Sequence, residues 1–343
     1  MTINFKEQSL PFHFPFTISG GRTKTHQPSL LVSVEHNGIT GYGEAPEISY
    51  YTITTGKMIS DLIERKEEIE RFPFTTPEVF WDYLNELFPN NSFLLCAFDM
   101  AAWDLYGKMK GKLLYELWGT EWKNIPVTDY TIGLDSIDKM QEKVRCFPWP
   151  VYKIKLGTDH DIEIIKALRK CTDAPFRIDA NAAWSIDEAL IKIPELKKLG
   201  VELIEQPLHK DSFEEMAVLV EESTLPLFAD ESCVNESDVD KCAGCFNGIN
   251  IKLTKCGGIT PALRMIKNAR KQGLKVMMGN MNESSVGTAA IANFLAQIDY
   301  ADMDGPLLLA ADIASGLVYT SGIININGKA GLGVDVFYTL NGI

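Results

Sequence analysis

The chain has 343 residues, room for one large domain or two ordinary ones at about 150 residues each. Its 45% hydrophobic and 23% charged content, with no low-complexity run and no block of like charge, is that of a globular protein. Against 33 basic side chains stand 46 acidic ones, and the resulting charge of −13 argues against nucleic acid or an anionic membrane as partner. No apolar stretch approaches the roughly 20 residues needed to cross a bilayer. The opening MTINFKEQSLPFHFPF lacks the basic start and apolar run of a secretory signal. Seven irregularly spread cysteines fit reduced thiols, so a cytoplasmic location is expected. Cys242 and Cys245 have metal-pair spacing, but no second pair or nearby His completes a zinc site.

The first 120 or so residues read as mixed α+β. Ser29–Val34 alternates toward a turn at Asn37-Gly38, and Ile39–Gly43 follows, the signature of a hairpin. A helix is predicted over Phe93–Lys108, where Leu94, Ala97, Phe98, Ala101, Leu105 and Tyr106 recur at helical spacing. From about residue 125 the texture is regular. Short β-branched or apolar runs end in polar residues, and each precedes an amphipathic helix. The strand ends fall at Thr131, Lys155, Asp179, Glu205, Asp230, Lys252, Gly279 and Asp304, spaced 24, 24, 26, 25, 22, 27 and 25 residues apart. A parallel α/β barrel requires such a repeat. Ser185 and Glu188 form a capping box, with Gly200 closing that helix; Thr260-Pro261 supplies an N-cap and an N1 proline, with Gly273 at the far end. The regular helices stop near Ala314, and the Gly-rich segment Gly316–Gly333 is expected to return to the N-terminal region.

In a parallel barrel the C-terminal strand ends share one rim, where catalytic residues gather. Residues two apart on a strand share a face, so Lys153 and Lys155, and Asp302 and Asp304, point into one cavity. One carboxylate at a strand end is ordinarily a solvated acid or a helix cap. Asp179, Glu205 and Asp230, at the same register of three consecutive strands, are harder to explain that way. Converging carboxylates repel unless a cation neutralises them, and all-oxygen ligands suit Mg²⁺. Lys153 and Lys155 on strand two would face Lys252 on strand six across the metal. An ammonium beside another ammonium and a divalent cation has its pKa lowered, which frees an amine to act as base.

Five ordered motifs carry a resemblance: Tyr152-Lys-Ile-Lys-Leu-Gly157, Arg177-Ile-Asp-Ala-Asn181, Ile204-Glu-Gln-Pro207, Ala229-Asp-Glu-Ser232, and Asn250-Ile-Lys-Leu253 with Gly257-Gly258-Ile259. With the helix Ala101–Lys108 and the tail Gly331-Leu-Gly333, they make the chain similar to the enolase superfamily, muconate-lactonising-enzyme subgroup. The resemblance implies a (β/α)₇β TIM-like barrel (123–315) under an α+β capping domain built from both chain ends (1–122 and 316–343). Loops near 16–26 and 47–56 would close the pocket. It further implies that Asp179, Glu205 and Asp230 bind one Mg²⁺, and that Lys155 and Lys252 are the acid/base pair. Lys153, with the metal, would stabilise an enediolate.

Fold and superfamily do not fix a substrate. Asp302-Met303-Asp304 resembles the motif with which dipeptide epimerases hold the substrate ammonium. Two inward carboxylates beyond the metal set suit a cationic group. Thr131 and Asn280-Met281-Asn282 match strand-end positions that contact the dipeptide in that group. Arg22 falls near the arginine that reads the glutamate carboxylate in Ala-Glu epimerases, but Ser19-Gly-Gly-Arg-Thr23 carries an extra residue, which shifts the register. The expected activity is therefore inversion of the second residue of an Ala-X dipeptide, X being uncharged or Glu. An o-succinylbenzoate synthase or cycloisomerase would use the same metal and lysines without needing Asp302 and Asp304. An N-acylamino acid racemase is a further alternative. A catalytically silent barrel is disfavoured because no lysine or metal acid is missing. The sequence leaves a homo-oligomer open.

Overall fold

Strands β1 (Thr2–Thr17), β2 (Thr23–His36) and β3 (Ile39–Pro46) form an antiparallel sheet in that order in the computed structural model, which describes residues 1–17, 23–337 and 340. The β2–β3 hairpin turns at Asn37 and Gly38, both at positive φ (51° and 75°), as a two-residue loop between right-twisted strands demands. Three helices cover this sheet: α1 (Thr55–Glu70), α2 (Pro77–Leu87) and α3 (Ser92–Lys110). Asn91 caps α3, accepting from the Leu94 amide at 3.1 Å, and Gly111 ends it in the left-handed region. The apolar positions of α3 run almost all round its surface because it lies between the cap sheet and the barrel.

Two features let α3 sit so tightly. A Cβ at Gly43 would lie 2.0 Å from the Ala97 carbonyl oxygen, so only a glycine lets β3 rest on the helix backbone. On its barrel side, Asp99 accepts from the Thr260 amide at 2.7 Å and the Thr260 hydroxyl at 2.8 Å. This corrects the reading of Thr260 as an N-cap. The helix Ile259–Lys271 starts two residues earlier, with Gly258 at its N-cap position. The Thr260 hydroxyl is taken by Asp99 of the cap, so it does not cap its own helix.

The barrel strands are β4 (Tyr130–Ile132), β5 (Tyr152–Lys155), β6 (Phe176–Asp179), β7 (Val201–Glu205), β8 (Leu227–Ala229), β9 (Gly248–Ile251), β10 (Lys275–Gly279) and β11 (Tyr300–Asp302). Chain order is sheet order and every pairing is parallel. The seam between first and last strands is closed by a Thr128–Ala301 bridge and an Asp129 amide donating to Ala301 O at 3.3 Å. Helices alternate with the strands; Ser185 and Glu188 form the expected capping box, and Gly200 follows at φ 79°. Beyond the barrel, short strands lie between Ala314 and Val336, and the chain returns to the cap: Leu332 N donates to Asp104 Oδ1 at 2.8 Å and Gly331 N to Lys112 O at 2.9 Å.

Gly43→Ala is expected to lower stability by about 1–3 kcal/mol, the usual cost of overpacking a filled interface. A denaturant or thermal midpoint equal to that of the unsubstituted protein would contradict the close approach of β3 to α3.

Candidate active site

Strand periodicity brings the charged residues together. Lys153 and Lys155 point inward while Ile154 packs outward. Lys155 pairs in register with Asp179, and Asp179 with Glu205, so these three side chains lie level on the rim. Asp230 and Lys252 each follow the end of their strand by one residue. Carboxylate oxygens of Asp179, Glu205 and Asp230 all lie within 4.8 Å of one another, and all three residues are buried. An all-oxygen cluster of this size and charge fits a hard divalent cation such as Mg²⁺.

Ammonium groups surround the acids. Lys155 Nζ donates to Asp179 at 2.5 Å and Lys252 Nζ to Asp230 at 2.6 Å. Lys153 Nζ lies 2.7 Å from Glu205, 2.7 Å from Asp302 and 3.2 Å from Asp179. Burial works to raise Asp179, but Lys155 and Lys153 outweigh it and bring the carboxyl to about 2. Burial pushes Glu205 up to about 7; Lys153 opposes this only in part, and Asp179 and Asp230 add to it. The lowered lysine pKa expected from the sequence belongs to the cation-bound site. Burial disfavours the charges on Lys252 and Lys153, yet the carboxylates facing them raise both. The acids turn their full negative charge on the lysines, and a cation bound by the acids would share it.

Behind this layer a fourth lysine is wholly internal. Lys255 Nζ donates to Asp230 Oδ1 and Asp230 O, both at 2.6 Å, to Cys233 O at 2.9 Å and to Asn250 O at 3.1 Å. Gln206 accepts from the Asp230 and Ser232 amides, each at 3.0 Å, and Asn250 donates to Glu205 at 2.7 Å. Each metal-facing carboxylate is thus oriented by a neighbour.

At β11, Asp302 is committed to Lys153, while Asp304 accepts from the Thr131 amide at 2.6 Å and has no lysine partner among the described residues. Burial and the neighbouring Asp302 push Asp304 up to about 7. A cavity of about 200 Å³ opens over these groups. Thr131, Lys153, Lys155, Asp230, Lys252, Asn280, Met281, Asn282, Asp302 and Asp304 line it, whereas Asp179 and Glu205 lie beneath. Its roof comes from the cap, through Lys24, Gln27 and the segment Ile48–Tyr51. Arg22 lies outside the described residues.

Comparison with known proteins agrees with this geometry. Residues 136–337 match the family described as "Enolase C-terminal domain-like", and residues 1–119 match "Mandelate racemase / muconate lactonizing enzyme, N-terminal domain". The chain belongs to the enolase superfamily. Within it, an "L-Ala-D/L-amino acid epimerase" of Maribacter sp. is 54% identical over 317 residues, covering 92% of this chain and 94% of that protein. One of the same description from Flavobacterium johnsoniae is 49% identical over 336 residues, covering 98% and 100%. Among solved structures, a substrate-liganded L-Ala-D/L-Glu epimerase from Bacillus subtilis superposes with TM-score 0.92 at 29% identity, covering 97% and 98%. A Cytophaga hutchinsonii dipeptide epimerase complexed with Mg and D-Ala-L-Val gives 0.89 at 27%, covering 97% and 95%.

The structure brings together the strand-end acids and lysines that stand out in the sequence, and adds site residues that do not. Lys255 is three residues past Lys252, and that spacing is its only local signal. Glu231 lines the cavity and is raised to about 7 by burial and by Asp230 and Asp179. Tyr50 and Tyr51 lie on the 47–56 segment that the resemblance expected to close the pocket, though neither tyrosine was singled out there.

Lys255→Met would strand four interior acceptors, so a loss of about 3–5 kcal/mol of stability is expected. Lys252→Met, at the cavity, should cost less stability. Equal melting temperatures for the two variants would contradict this division of labour.

Proposed function

We propose that this protein is a Mg²⁺-dependent epimerase of L-Ala-X dipeptides that inverts the α-carbon of the second residue. The observation that carries the reading is the placement of Lys155 on β5 and Lys252 just after β9, on either side of the acid cluster, with the Asp302/Asp304 pair at the end of β11. The names of the Maribacter and Flavobacterium relatives support it, as does the Mg and dipeptide in the Cytophaga neighbour.

The chemical difficulty is a weakly acidic C–H next to a carboxylate that is already negative. Asp179, Glu205 and Asp230 would hold Mg²⁺, which when bound supplies positive charge beside the substrate carboxylate. One lysine, as the neutral amine, takes the α-proton; the C–H electron pair moves into the carboxylate. The opposite lysine, as the ammonium, returns a proton to the other face, so the product differs from the substrate only in configuration. Lys153 keeps its proton and places an ammonium where the second negative charge develops. Asn280 lines the cavity wall, and its buried Nδ2 has no partner among the described residues. At the far end, Asp304, with Asp302 beside it, receives the N-terminal ammonium. Ile48, Tyr50, Tyr51 and Met281 make a largely apolar surface suited to an uncharged second side chain. Seven free cysteines suit a reducing compartment such as the cytoplasm, and among the described residues no helix is long and apolar enough to cross a membrane.

In D₂O with Mg²⁺, L-Ala-X is expected to take up one deuterium at the second α-carbon, and chelation should stop this. Lys155→Ala and Lys252→Ala should each reduce epimerisation by at least about 100-fold, while either variant can still exchange the α-proton of one stereoisomer. Two variants that both retain normal turnover would sink the two-base assignment.

Asp304 supplies a pH test. Below about pH 7 its carboxyl is neutral, like an asparagine; above, it carries the charge that pairs with the ammonium. Asp304→Asn should therefore fall behind the unsubstituted enzyme by about ten- to a hundredfold in kcat/KM at pH 8, and the gap should shrink several-fold at pH 6. A deficit independent of pH would show that Asp304 does not act through its charge.

A further inference from the structure

A fully buried, multiply bonded carboxylate outside the metal cluster lies at the joint between cap and barrel. Glu44, near the end of β3, is fully buried. It accepts from Ser29 Oγ of the neighbouring cap strand at 2.8 Å. Its other donors lie 240 residues or more away: Ser284 N at 3.1 and 3.2 Å, the Ser284 hydroxyl, and Gly287 N at 3.1 Å. The last three groups belong to the start of the barrel helix Ser285–Ala292. A cap side chain therefore completes the N-terminus of a barrel helix, where amide donors and the helix dipole both favour negative charge. Every partner is a donor and none is a cation.

The two chain segments tied together here are both walls of the substrate cavity. Past Glu44 the chain runs directly into Ile48–Tyr51, and just before Ser284 comes Asn280-Met281-Asn282. That second bend is tightly held: Asn282 adopts φ 67°, and the buried Glu283 carboxylate accepts from Met281 N. A Cβ at Gly287 would lie 2.6 Å from both Cβ and Cγ of Glu283, so the helix start, the bend and Glu44 form one packed unit.

We infer that Glu44 is a positioning residue for the reaction, joining the Ile48–Tyr51 wall to the Asn280–Asn282 wall so that both hold the substrate in register. The inference rests on the dipeptide reading above. Both Glu44 oxygens accept, so Glu44→Gln keeps the shape but replaces one acceptor with an N–H₂ and removes the negative charge that the helix N-terminus favours. The acids and lysines stand on other strands, so the Mg²⁺ site should not feel the change.

The test uses the full-length protein with Glu44→Gln and, as a milder probe that keeps the backbone donor, Ser284→Ala. Mg²⁺ affinity, measured by calorimetry with the metal alone, is expected to be unchanged. KM for L-Ala-L-Val should rise about ten- to a hundredfold in Glu44→Gln, with kcat changing less, and Ser284→Ala should move the same way by a smaller factor. Amide hydrogen exchange should quicken in both segments, 47–51 and 281–287. A lowered melting temperature with unchanged KM would overturn the inference, as would quickened exchange confined to one segment, or parallel losses of kcat and Mg²⁺ affinity. If Glu44→Gln does not fold, Ser284→Ala decides by the same readouts. If the unsubstituted protein inverts no dipeptide, the functional reading falls, and the exchange pattern alone judges whether Glu44 joins the two walls.

Discussion

Like charges forced together out of water are the constraint on which this molecule turns. Asp179, Glu205 and Asp230 are all buried and within reach of one another. Burying a carboxylate costs several kcal/mol unless it is paired and well hydrogen-bonded. The interior answers with four lysines at short range and with a row of orienting groups, Gln206, Asn250 and the amide of Asn181. A well-packed apolar barrel end would be no less stable, so this arrangement is the mark of a surface built for chemistry rather than for holding the fold together.

The cap follows from the same constraint. A charged pocket open to bulk water would have its fields screened, and the cap roofs it with tyrosines and an isoleucine. Holding the cap in place takes buried polar ties as well as apolar packing: Asp99 to Thr260, Trp81 Nε1 to Gly257 O at 2.8 Å, and Glu44 to Ser284. Directional bonds of this kind fix orientation in a way that apolar contact alone does not.

What could be read from the sequence divides along sequence distance. The β2–β3 hairpin, helix α3 and the eight-fold strand repeat are local patterns, and each is present in the structure, with the strand ends within two residues of where the spacing placed them. The acids and the lysines were legible because a repeat turns register in sequence into adjacency in space. Thr260 was misread because its partner, Asp99, is 161 residues away and outcompetes the local capping role that its type and position suggest. Lys255 and Glu44 look like ordinary surface charges until the backbone carbonyls around one and the amides around the other are known. The cavity roof was legible only through the family resemblance, which put loops near 16–26 and 47–56 over the pocket, since a loop that crosses from one domain to another carries no periodicity.

The seam of the barrel sets one more property. Between β4 and β11 the ring is closed by a bridge at Thr128–Ala301 and stapled from inside by Arg177, which donates to Ala301 O at 2.8 Å and to Asp129 at 3.0 Å. The carboxylates proposed to meet the amine stand at the end of this seam, whereas the metal cradle occupies the far more continuous arc from β6 to β8. Lys153 joins the two, lying 2.7 Å from Asp302 at the seam and 2.7 Å from Glu205 in the acid cluster, so a shift of the seam would be felt at the cluster.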